Sequence, residues 1–360
     1  MLEKRTKISF FIPTLEVGGI QRVFINLSCL LYKKGYEIDF IICRKEGILL
    51  NQVCPGVNLI SLGKRKRLRN STFDMVRYIC KKKPDYIITG SDMHNHFIIF
   101  CNMITGKKSK VIATQHNFFD HDIKGKGIYR YFFKFLINHL YPQAHKVISV
   151  SDSLLDFLSE FSTKIEKLRI YNPFDEDYIL KRSEESNIDF KLPQKYILFA
   201  GRLAVVKNLD LLIDSFQFIR KKHKDYKLII AGSGPEYSRL SKKEEKNNSI
   251  IFAGEVDHCY YLIKHADVIA LTSLSETLPS ILIESLILKK TVVSTPTLGA
   301  KEILQGGTFG FLSKSINNVN DYSQTLLKAL ENPINEKLLT YRANAFTNEK
   351  IVDQYIRILS

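Results

Sequence analysis

The chain alternates short, almost wholly apolar runs with amphipathic stretches from one end to the other. Apolar runs such as Tyr196–Gly201 and Ile250–Gly254 lack the alternation of polar and apolar residues expected when one face of a strand meets water. Such runs are typical of parallel strands that are covered on both faces. Amphipathic stretches such as Asn208–His223 lie between them and predict helices. The pattern therefore predicts an α/β fold with doubly wound parallel sheets.

The alternation occurs as two series, and 360 residues leave room for two domains. The first series predicts strands at Lys7–Leu15, Glu37–Cys43, Asn58–Leu62, Asp85–Gly90, Lys110–Asn117, His145–Ser151 and Lys167–Asn172. The second predicts strands at Tyr196–Gly201, Lys227–Gly232, Ile250–Gly254, Asp267–Ser273, Thr291–Pro296 and Phe309–Leu312. The polar stretch Lys181–Pro193 between them is the candidate linker. We therefore expect domains at residues 1–183 and 194–345, with a final helix at 346–360 packing back on the first domain.

The bulk composition indicates a globular protein of a reducing compartment. Hydrophobic residues make up 45% and charged residues 25% of the chain, which is ordinary for a soluble domain. The six cysteines form no CxxC motif and mostly lie in apolar runs, as buried free thiols do. We see no signal peptide and no apolar run long enough to span a bilayer, and we expect a cytoplasmic protein.

The net charge of +16 is concentrated in the first half. Residues 1–185 hold 30 Lys and Arg against 19 Asp and Glu, which favours anionic partners. One basic cluster is interleaved with aromatic residues: Lys124, Lys126, Tyr129, Arg130, Tyr131, Phe132, Phe133, Lys134 and Phe135. This suits a helix lying on an anionic membrane, and the alternative is a helix with a buried aromatic face and a solvated basic face. No specific nucleic-acid partner is expected, because the chain has no recognition motif and its basic clusters fall on separate segments.

Charged and glycine-rich loops follow the first two strands of the second series. Arg202 follows a strand directly and Lys207 precedes a helix, so a forked donor, a point charge and a helix N-terminus come together. Gly232-Ser233-Gly234-Pro235 follows the next strand and permits close approach of a ligand to the backbone. These loops predict a phosphate site at that edge of the sheet. A surface salt bridge is the alternative for Arg202 and Lys207.

Two carboxylates stand eight positions apart, at Glu276 and Glu284. The first lies in the loop Ser275–Pro279 after an apolar strand, and the second lies in a predicted helix beginning at Ser280. Eight helical residues advance about 12 Å, so the pair suits two ends of one elongated ligand. The alternative is a capping carboxylate followed by a solvated helix residue.

These motifs, with Gly299-Ala300-Lys301-Glu302, resemble in order and spacing the GT-B glycosyltransferases of family 4. The first half resembles the family more loosely, at Val17-Gly18-Gly19-Ile20 and at Ile148–Asp152 and Ile170–Pro173. The resemblance implies a GT-B fold, in which two Rossmann-like doubly wound domains face each other across a cleft. It also implies that the first domain binds the acceptor and the second binds a nucleotide sugar.

The resemblance implies roles for individual residues. Arg202 and Lys207 would hold the donor diphosphate and neutralise the leaving group. Glu284 would bind the ribose hydroxyls, while Glu276 would bind the donor-sugar hydroxyls beside the backbone of Thr277, Leu278 and Pro279. The remaining donor-binding positions implied are Gly18, Gly19, Gly201, Gly232, Ser233, Gly234 and Glu255. His116, at the end of a strand, resembles a family histidine near the donor sugar and acceptor, although a strand-end hydrogen bond is the alternative.

The implied activity is a retaining transfer of a hexose or N-acetylhexosamine from a nucleotide sugar, expected to be UDP-linked. The implied acceptor is a lipid-linked or lipopolysaccharide glycan at the inner face of the plasma membrane. No metal or other cofactor is expected, and Asp120-His121-Asp122 and Asp175-Glu176-Asp177 only imitate a metal-binding DxD motif. Thr277-Leu278-Pro279 replaces the Gly-Phe of many members, which leaves the sugar open. The alternative function is a GT-B-like epimerase or another non-transferase of the same fold.

Overall fold

A computed structural model of the protein describes residues 5–16, 18–63, 68–118, 127–160, 164–186 and 188–360. The sequence predictions for Val17, for Asp120-His121-Asp122 and for Lys124 and Lys126 lie outside these residues. The chain forms two compact units, one comprising Met1–Phe174 with Asn348–Ser360 and the other Asp175–Thr347.

The described part of the first unit contains a seven-stranded sheet in which every neighbouring pair is parallel. Its order is β3-β2-β1-β4-β5-β6-β7. The strands are β1 Lys7–Phe11, β2 Glu37–Ile42, β3 Asn58–Ser61, β4 Tyr86–Gly90, β5 Lys110–Gln115, β6 Lys146–Ser149 and β7 Lys167–Arg169. The predicted doubly wound parallel sheet is confirmed for this unit.

Helices cover both faces of the first sheet. They are α1 Gly19–Lys33, α2 Thr72–Lys82, α3 Asp92–Ile104, α4 Gly127–Leu140 and α5 Asp152–Ser159. Successive residues of β1 point to opposite faces, because side chains alternate along a strand. Phe10 meets Phe24 of α1 with ring centroids 5.5 Å apart, whereas Phe11 joins the core cluster that includes Ile79 of α2 and Ile98 of α3. Burial on both faces explains why the strand sequences are almost continuously apolar.

The second unit repeats the plan with a six-stranded parallel sheet in the order β10-β9-β8-β11-β12-β13. The strands are β8 Tyr196–Ala200, β9 Lys227–Ala231, β10 Ile250–Gly254, β11 Val268–Leu271, β12 Val292–Ser294 and β13 Phe311–Leu312. Its helices are α6 Glu176–Arg182, α7 Leu209–Lys222, α8 Tyr237–Lys243, α9 Tyr260–His265, α10 Ser280–Ile287, α11 Leu298–Ile303, α12 Val319–Glu331 and α13 Glu336–Ala343. The predicted second doubly wound sheet is therefore confirmed.

The division between the units differs from the boundary placed by sequence at Lys181–Pro193. Helix α6 groups with the second unit because it packs against α9 and α10. The last helix, α14 at Asn348–Leu359, groups with the first unit and packs against α1. The Asn26 side chain of α1 donates to Asn348 Oδ1 at 2.8 Å, which fixes the beginning of α14.

The strand order of each sheet reverses direction at one point. In the first sheet β1 lies between β2 and β4, and in the second β8 lies between β9 and β11. Loops leaving the carboxyl ends of strands on either side of such a reversal diverge and leave a crevice, where open α/β sheets bind ligands. We call the side of each sheet where its parallel strands end the carboxyl edge. Among the described residues, no helix combines the length and apolar character needed to cross a bilayer.

Candidate active site

Glu276 lies at the carboxyl edge of the second sheet, in the loop after β11. One of its carboxylate oxygens, Oε1, forms an ion pair with the Lys207 ammonium and also accepts a hydrogen bond from Ser273 Oγ at 2.7 Å. The Glu276 side chain is only 13% exposed, and Ser273 is fully buried. Oε2 accepts no hydrogen bond from any residue that the structure describes. The carboxylate is therefore held by one oxygen and offers the other to a ligand that donates hydrogen bonds.

Lys207 comes from the loop after β8, which is the strand next to β11. Its carbonyl accepts a hydrogen bond from the buried Thr272 Oγ1 at 2.9 Å, and Leu274 N donates to Val206 O at 2.8 Å. These bonds join the two loops that leave the sheet at its reversal point. The Lys207 side chain is 22% exposed, so its ammonium meets both Glu276 and solvent.

Arg202 precedes Lys207 in the same loop and is exposed. It forms no ion pair with any of the residues that the structure describes. Its neighbours are fixed by the backbone, because Gly201 N donates to Ala231 O at 3.0 Å and Leu203 N donates to Ser233 O at 2.8 Å. The guanidinium is thus an exposed cation on a loop whose backbone is bonded to residues of β9 and of the loop that follows it. An anion is the complementary ligand for such a group.

Glycines allow the loops after β8 and β9 to pack main chain against main chain. Gly232 has a φ of +135°, and a Cβ placed there would lie 2.0 Å from Gly201 O. Gly234 has a φ of +152°, and its Cβ would lie 2.4 Å from Leu203 O. Both positions exclude a side chain for two reasons, backbone conformation and the neighbouring carbonyl. This edge of the sheet is therefore built from backbone.

Ser233 and Glu255 meet at the ends of β9 and β10. Ser233 Oγ donates to Glu255 Oε2 at 3.1 Å, and both residues are exposed. The structure brings these two predicted residues together on the side of β8 away from Glu276. The crevice at the reversal point thus has cations and glycines at its centre and a carboxylate on either side.

The loop Thr277–Pro279 packs against the beginning of α11. Gly299 N donates to Glu276 O at 3.0 Å, and a Cβ at Gly299 would lie 2.4 Å from Thr277 O. Pro279 is the N-cap of α10 and has no amide hydrogen, so only Thr277 and Leu278 can offer the backbone donors predicted there. Neither amide donates to another residue within the described ranges. Two amide donors therefore lie next to Glu276.

Glu284 lies on α10 and is half-buried. Burial, and after it the negative charge of Glu284, raise the pKa of the Cys259 thiol to about 12. Glu284 therefore lies near Cys259, the N-cap of α9. The two glutamates come from different elements of the same edge, one from a loop and the other from the second turn of a helix.

In the first unit, His116 lies just beyond β5 at the carboxyl edge. It is 8% exposed, its Nε2 lies 2.9 Å from Thr114 Oγ1, and its ring lies edge-on to Phe24. Burial lowers the pKa of His116 to about 4, so the imidazole is neutral at pH 7. Gly18 is the N-cap of α1 and Gly19 is its first residue. Gly18 is extended, and a Cβ at Gly19 would meet nothing within 4 Å, so the fold alone does not demand glycine at Gly19.

Sequence reasoning missed the polar side chains that hold the candidate site residues. Ser273 and Thr295 support Glu276, because Thr295 Oγ1 donates to Ser273 O at 2.6 Å. Thr114 holds His116 in the same way. A signal existed for Thr114, which stands two positions before His116 in the predicted strand Lys110–Asn117 and is therefore expected to face the same side. Ser273 becomes visible only when β11 and its loop are folded.

The structure also bears on metal binding. Among the residues that it describes, no three His, Cys, Asp or Glu side chains are grouped so that they could hold a metal ion. Asp175, part of one predicted DxD imitation, caps α6 by accepting from Tyr178 N at 2.9 Å. Asp120-His121-Asp122 lies outside the described ranges.

Two family models match the chain, one for each unit. "Glycosyltransferase Family 4" matches residues 17–178 and "Glycosyl transferases group 1" matches residues 181–347. The first match ends and the second begins close to the division between the compact units. Together the two models account for nearly the whole chain.

Curated relatives and solved structures agree with these models. The N-acetylgalactosamine-N,N'-diacetylbacillosaminyl-diphospho-undecaprenol 4-alpha-N-acetylgalactosaminyltransferase of Campylobacter jejuni is 29% identical, over 97% of this chain and 96% of the relative. A second Campylobacter jejuni enzyme, which adds alpha-1,4-N-acetyl-D-galactosamine to a GalNAc-containing diphospho-undecaprenol, is 26% identical over 96% and 92% of the two chains. The Anabaena protein HepE, solved with UDP and glucose, superimposes with a TM-score of 0.77 at 17% identity and 99% coverage of both chains.

Proposed function

Because this chain belongs to the GT-B glycosyltransferases, with a Family 4 domain followed by a group 1 domain, we propose that it transfers a hexose or N-acetylhexosamine from a UDP-sugar to a lipid-linked glycan. Two relatives matched over nearly their whole length are named as transferases acting on glycans linked to diphospho-undecaprenol. A structural neighbour holds UDP and glucose. These similarities support UDP as the nucleotide and a polyprenyl diphosphate glycan, or a lipopolysaccharide, as the acceptor class.

The observation that carries the proposal is the arrangement of Lys207, Ser273 and Glu276 at the reversal point of the second sheet. A sugar presents hydroxyl hydrogens, and the free Oε2 of Glu276 accepts them at a fixed position. The amides of Thr277 and Leu278 beside it donate to sugar oxygens. A carboxylate that is anchored by one oxygen loses little freedom when a ligand binds, which favours recognition of one sugar geometry.

Arg202 and Lys207 bind the diphosphate in this proposal. The bond between the sugar C1 and the diphosphate oxygen breaks, and the negative charge that develops on the diphosphate is stabilised by the two cations. The acceptor oxygen bonds to C1 on the same face, and the proton of the acceptor hydroxyl moves to the leaving diphosphate. The anomeric configuration is thus retained. Because two side-chain cations neutralise the leaving group, we propose that the reaction needs no metal or other cofactor.

The remaining residues border the nucleotide and the acceptor. Glu284 accepts hydrogen bonds from the ribose hydroxyls, while Ser233 and Glu255 lie where the base binds. Gly201, Gly232 and Gly234 keep the backbone close to the diphosphate. In the first unit, the beginning of α1 at Gly18 and Gly19 binds phosphate or acceptor, and His116 contacts a sugar hydroxyl.

Calorimetric titration with UDP and with UDP-sugars, in the presence of a chelator, tests these assignments. We expect Glu276→Gln to weaken UDP-sugar binding about tenfold, because one charged hydrogen bond is lost. Its affinity for UDP alone should not fall, since the substitution releases Lys207 for the phosphates. Glu331→Gln makes the same charge change at an exposed position on α12 and serves as the control.

Arg202→Ala separates the diphosphate from the sugar. It should weaken UDP and UDP-sugar equally, by about tenfold or more, because both ligands carry the diphosphate. A selective loss of UDP-sugar binding in Arg202→Ala would contradict the diphosphate assignment. Failure of every UDP-sugar to bind, or conversion of the sugar to an epimer without acceptor, would overturn the proposed transfer.

We propose that α3 and α4 of the first unit contact an anionic membrane that carries the acceptor. Tyr131, Phe132 and Phe135 of α4 are 77%, 55% and 56% exposed. Phe100 and Ile104 of the neighbouring α3 are 50% and 54% exposed, so apolar side chains from two packed helices meet solvent. Exposed aromatic residues on a basic domain suit the interface of an anionic bilayer.

Flotation with vesicles containing anionic lipid tests the membrane contact. Binding should fall as salt rises, because the basic field is screened. Phe132→Ser with Phe135→Ser should reduce binding to the vesicles about tenfold or more at fixed salt. The two rings, which are exposed in the free protein, would no longer be buried in the bilayer. Leu338→Ser with Tyr341→Ser, at exposed positions of α13, is the matched control. Binding that ignores both lipid charge and salt would exclude the contact.

A further inference from the structure

The hydrogen bonds around His116 determine which of its ring nitrogens carries the proton. Thr114 Oγ1 donates to Thr89 O at 2.9 Å, since a carbonyl oxygen can only accept. A threonine hydroxyl has one hydrogen, so the 2.9 Å contact between Thr114 Oγ1 and His116 Nε2 must be donated by the imidazole. Neutral His116 therefore carries its proton on Nε2 and has a lone pair on Nδ1.

The surroundings preserve this arrangement. Thr114 and Thr89 are fully buried, so no solvent competes for the hydroxyl. A Cβ at Gly90 would lie 3.0 Å from Thr114 Oγ1 and 2.9 Å from Phe24, so a side chain there would crowd the hydroxyl and the ring packed on His116. Burial holds the imidazole neutral at pH 7. Within the described residues, Nδ1 makes no hydrogen bond and is not enclosed.

We propose that Thr114 is a positioning residue, which fixes the Nε2-protonated form of His116 so that Nδ1 accepts a hydrogen bond from a substrate hydroxyl. The inference rests on the proposed function, in which His116 contacts a sugar. A histidine with the opposite tautomer would present an N–H, which only donates, so the substrate hydroxyl would have to turn and accept and its own hydrogen would lose this acceptor. Thr114 does not touch the substrate in this arrangement and acts only through the imidazole.

His94 provides an internal reference. Its Nδ1 lies 2.7 Å from Gly90 O, which can only accept, so neutral His94 carries its proton on Nδ1. Burial lowers the pKa of His94 as it does that of His116. The two histidines follow neighbouring strands of one sheet and are predicted to be opposite tautomers. A spectrum of the whole protein should therefore show one neutral histidine of each tautomer, so each can be compared with the other.

Nitrogen-15 NMR of histidine-labelled full-length protein at pH 7.5 reads each tautomer directly. We expect Nε2–H at His116 and Nδ1–H at His94. Thr114→Val keeps the shape and removes the hydroxyl, so the Nε2–H preference of His116 should be lost while His94 is unchanged. Thr114→Ser keeps the hydroxyl and should restore the wild-type His116 signals. A wild-type His116 protonated on Nδ1 would overturn the inference.

Kinetics with the UDP-sugar found by titration complete the test. Thr114→Val should lower kcat about tenfold, the equivalent of one misdirected hydrogen bond, with donor KM nearly unchanged. Thr114→Ser should stay within about twofold of wild type. Equal rates for Thr114→Val and Thr114→Ser, with an active wild type, would overturn the positioning role and leave the proposed function standing. A wild type that transfers from no donor would overturn both.

Discussion

The loops after β8 and β9 in the second unit and the loops after β4 and β5 in the first are held by different kinds of bond. In the second unit, backbone groups bond to backbone groups, and glycines such as Gly232 remove the side chains that would keep the strands' loops apart. In the first unit, buried side chains do this work: Asn95, Gln115 and Tyr141 form a connected set of hydrogen bonds below His116. A backbone-built edge tolerates changes of side chain but no added Cβ. An edge built from side chains depends on each hydroxyl and amide.

The largest effect that would test this comparison is expected from Gly232→Ala. Its Cβ would lie 2.0 Å from Gly201 O at a φ that L-residues rarely adopt, and backbone atoms cannot move aside cheaply. We expect the free energy of unfolding of the second unit to fall by about 3 kcal/mol or more. Native-state hydrogen exchange of the β8 and β9 amides measures this unit separately from the first.

Gly254→Ala is the control for that experiment. Gly254 has a φ of +67°, but a Cβ there would meet no heavy atom within 4 Å. Gly254→Ala should lower the free energy of unfolding by only about 1–2 kcal/mol, because an alanine there strains only its own backbone conformation. Equal losses in the two variants would mean that the main-chain packing around Gly232 contributes nothing beyond its φ.

A smaller loss is expected when a tyrosine hydroxyl is removed from the first unit. Tyr141 OH donates to Gln115 Oε1 at 2.8 Å and accepts from Asn95 Nδ2 at 3.2 Å. Burial, with the nearby Asp92 charge, raises the pKa of Tyr141 well above its usual value, so it donates as a neutral phenol. Tyr141→Phe should destabilise the first unit by about 2 kcal/mol, because buried polar groups are left unpaired.

Tyr322→Phe is the matched change in the second unit. Tyr322 is equally buried, and its hydroxyl lies 3.2 Å from both Leu271 O and Val293 O, with one hydrogen to share between them. The Leu271 carbonyl also accepts from Thr295 N at 2.9 Å and keeps this bond in the variant. We expect a loss nearer 1 kcal/mol, since no acceptor at Leu271 is left unpaired. Hydrogen exchange measures the loss of stability in each variant. A larger loss in Tyr322→Phe than in Tyr141→Phe would contradict the comparison.

Acid should weaken the first unit through His96. Burial lowers the pKa of His96 to about 4, and neither ring nitrogen has a hydrogen-bond partner among the described residues. Between about pH 6.5 and pH 4 only the unfolded chain takes up this proton, so stability falls as pH falls. His96→Phe preserves contact with Tyr141 and Phe133 and should stabilise the first unit by about 1–2 kcal/mol at pH 5 relative to pH 8.

Hydrogen exchange of the β4 and β5 amides at both pH values measures the His96 effect. The second unit within the same samples is the control, because the substitution lies outside it. If the stability of the first unit depended on pH in His96→Phe as it does in the wild type, its acid sensitivity would come from other groups. His116 would then be the first of these to replace.

The smallest effect is expected from the ion pairs on α7 and α8. Hydrogen bonds from Arg239, and then from Lys243, lower the pKa of Asp210 to about 2, so this contribution is complete above about pH 4 and disappears as pH falls through 2. The Arg239 and Asp210 side chains are 49% and 40% exposed, and solvent screens the pair. Asp210→Asn should cost less than about 1 kcal/mol in urea unfolding at pH 7, and 1 M salt should reduce the difference.

The same contrast explains what the sequence could predict. Strands such as β8 and loop residues such as Gly232, Lys207 and Glu276 were identified because local chemistry required them. Apolar runs that alternate with amphipathic stretches predict a parallel sheet, and glycines in the loops after the strands predict close backbone contact. Ser273 and Thr114 were not identified. The spacing of Thr114 from His116 was a signal, but the contacts with Thr295 and Thr89 that hold the two residues in place come from neighbouring segments of the folded sheet. The compact units divide before α6, because this helix is polar on its exposed side yet packs against α9 and α10, which its own sequence does not indicate.

The position of α14 determines the order in which a ribosome can complete the two units. Residues 175–347 are contiguous and are synthesised before α14, whereas the first unit lacks this helix until residues 348–360 have left the ribosome. Until then the part of α1 that receives α14, including Asn26, meets solvent or a chaperone. The half that is translated first is therefore the half that is completed last.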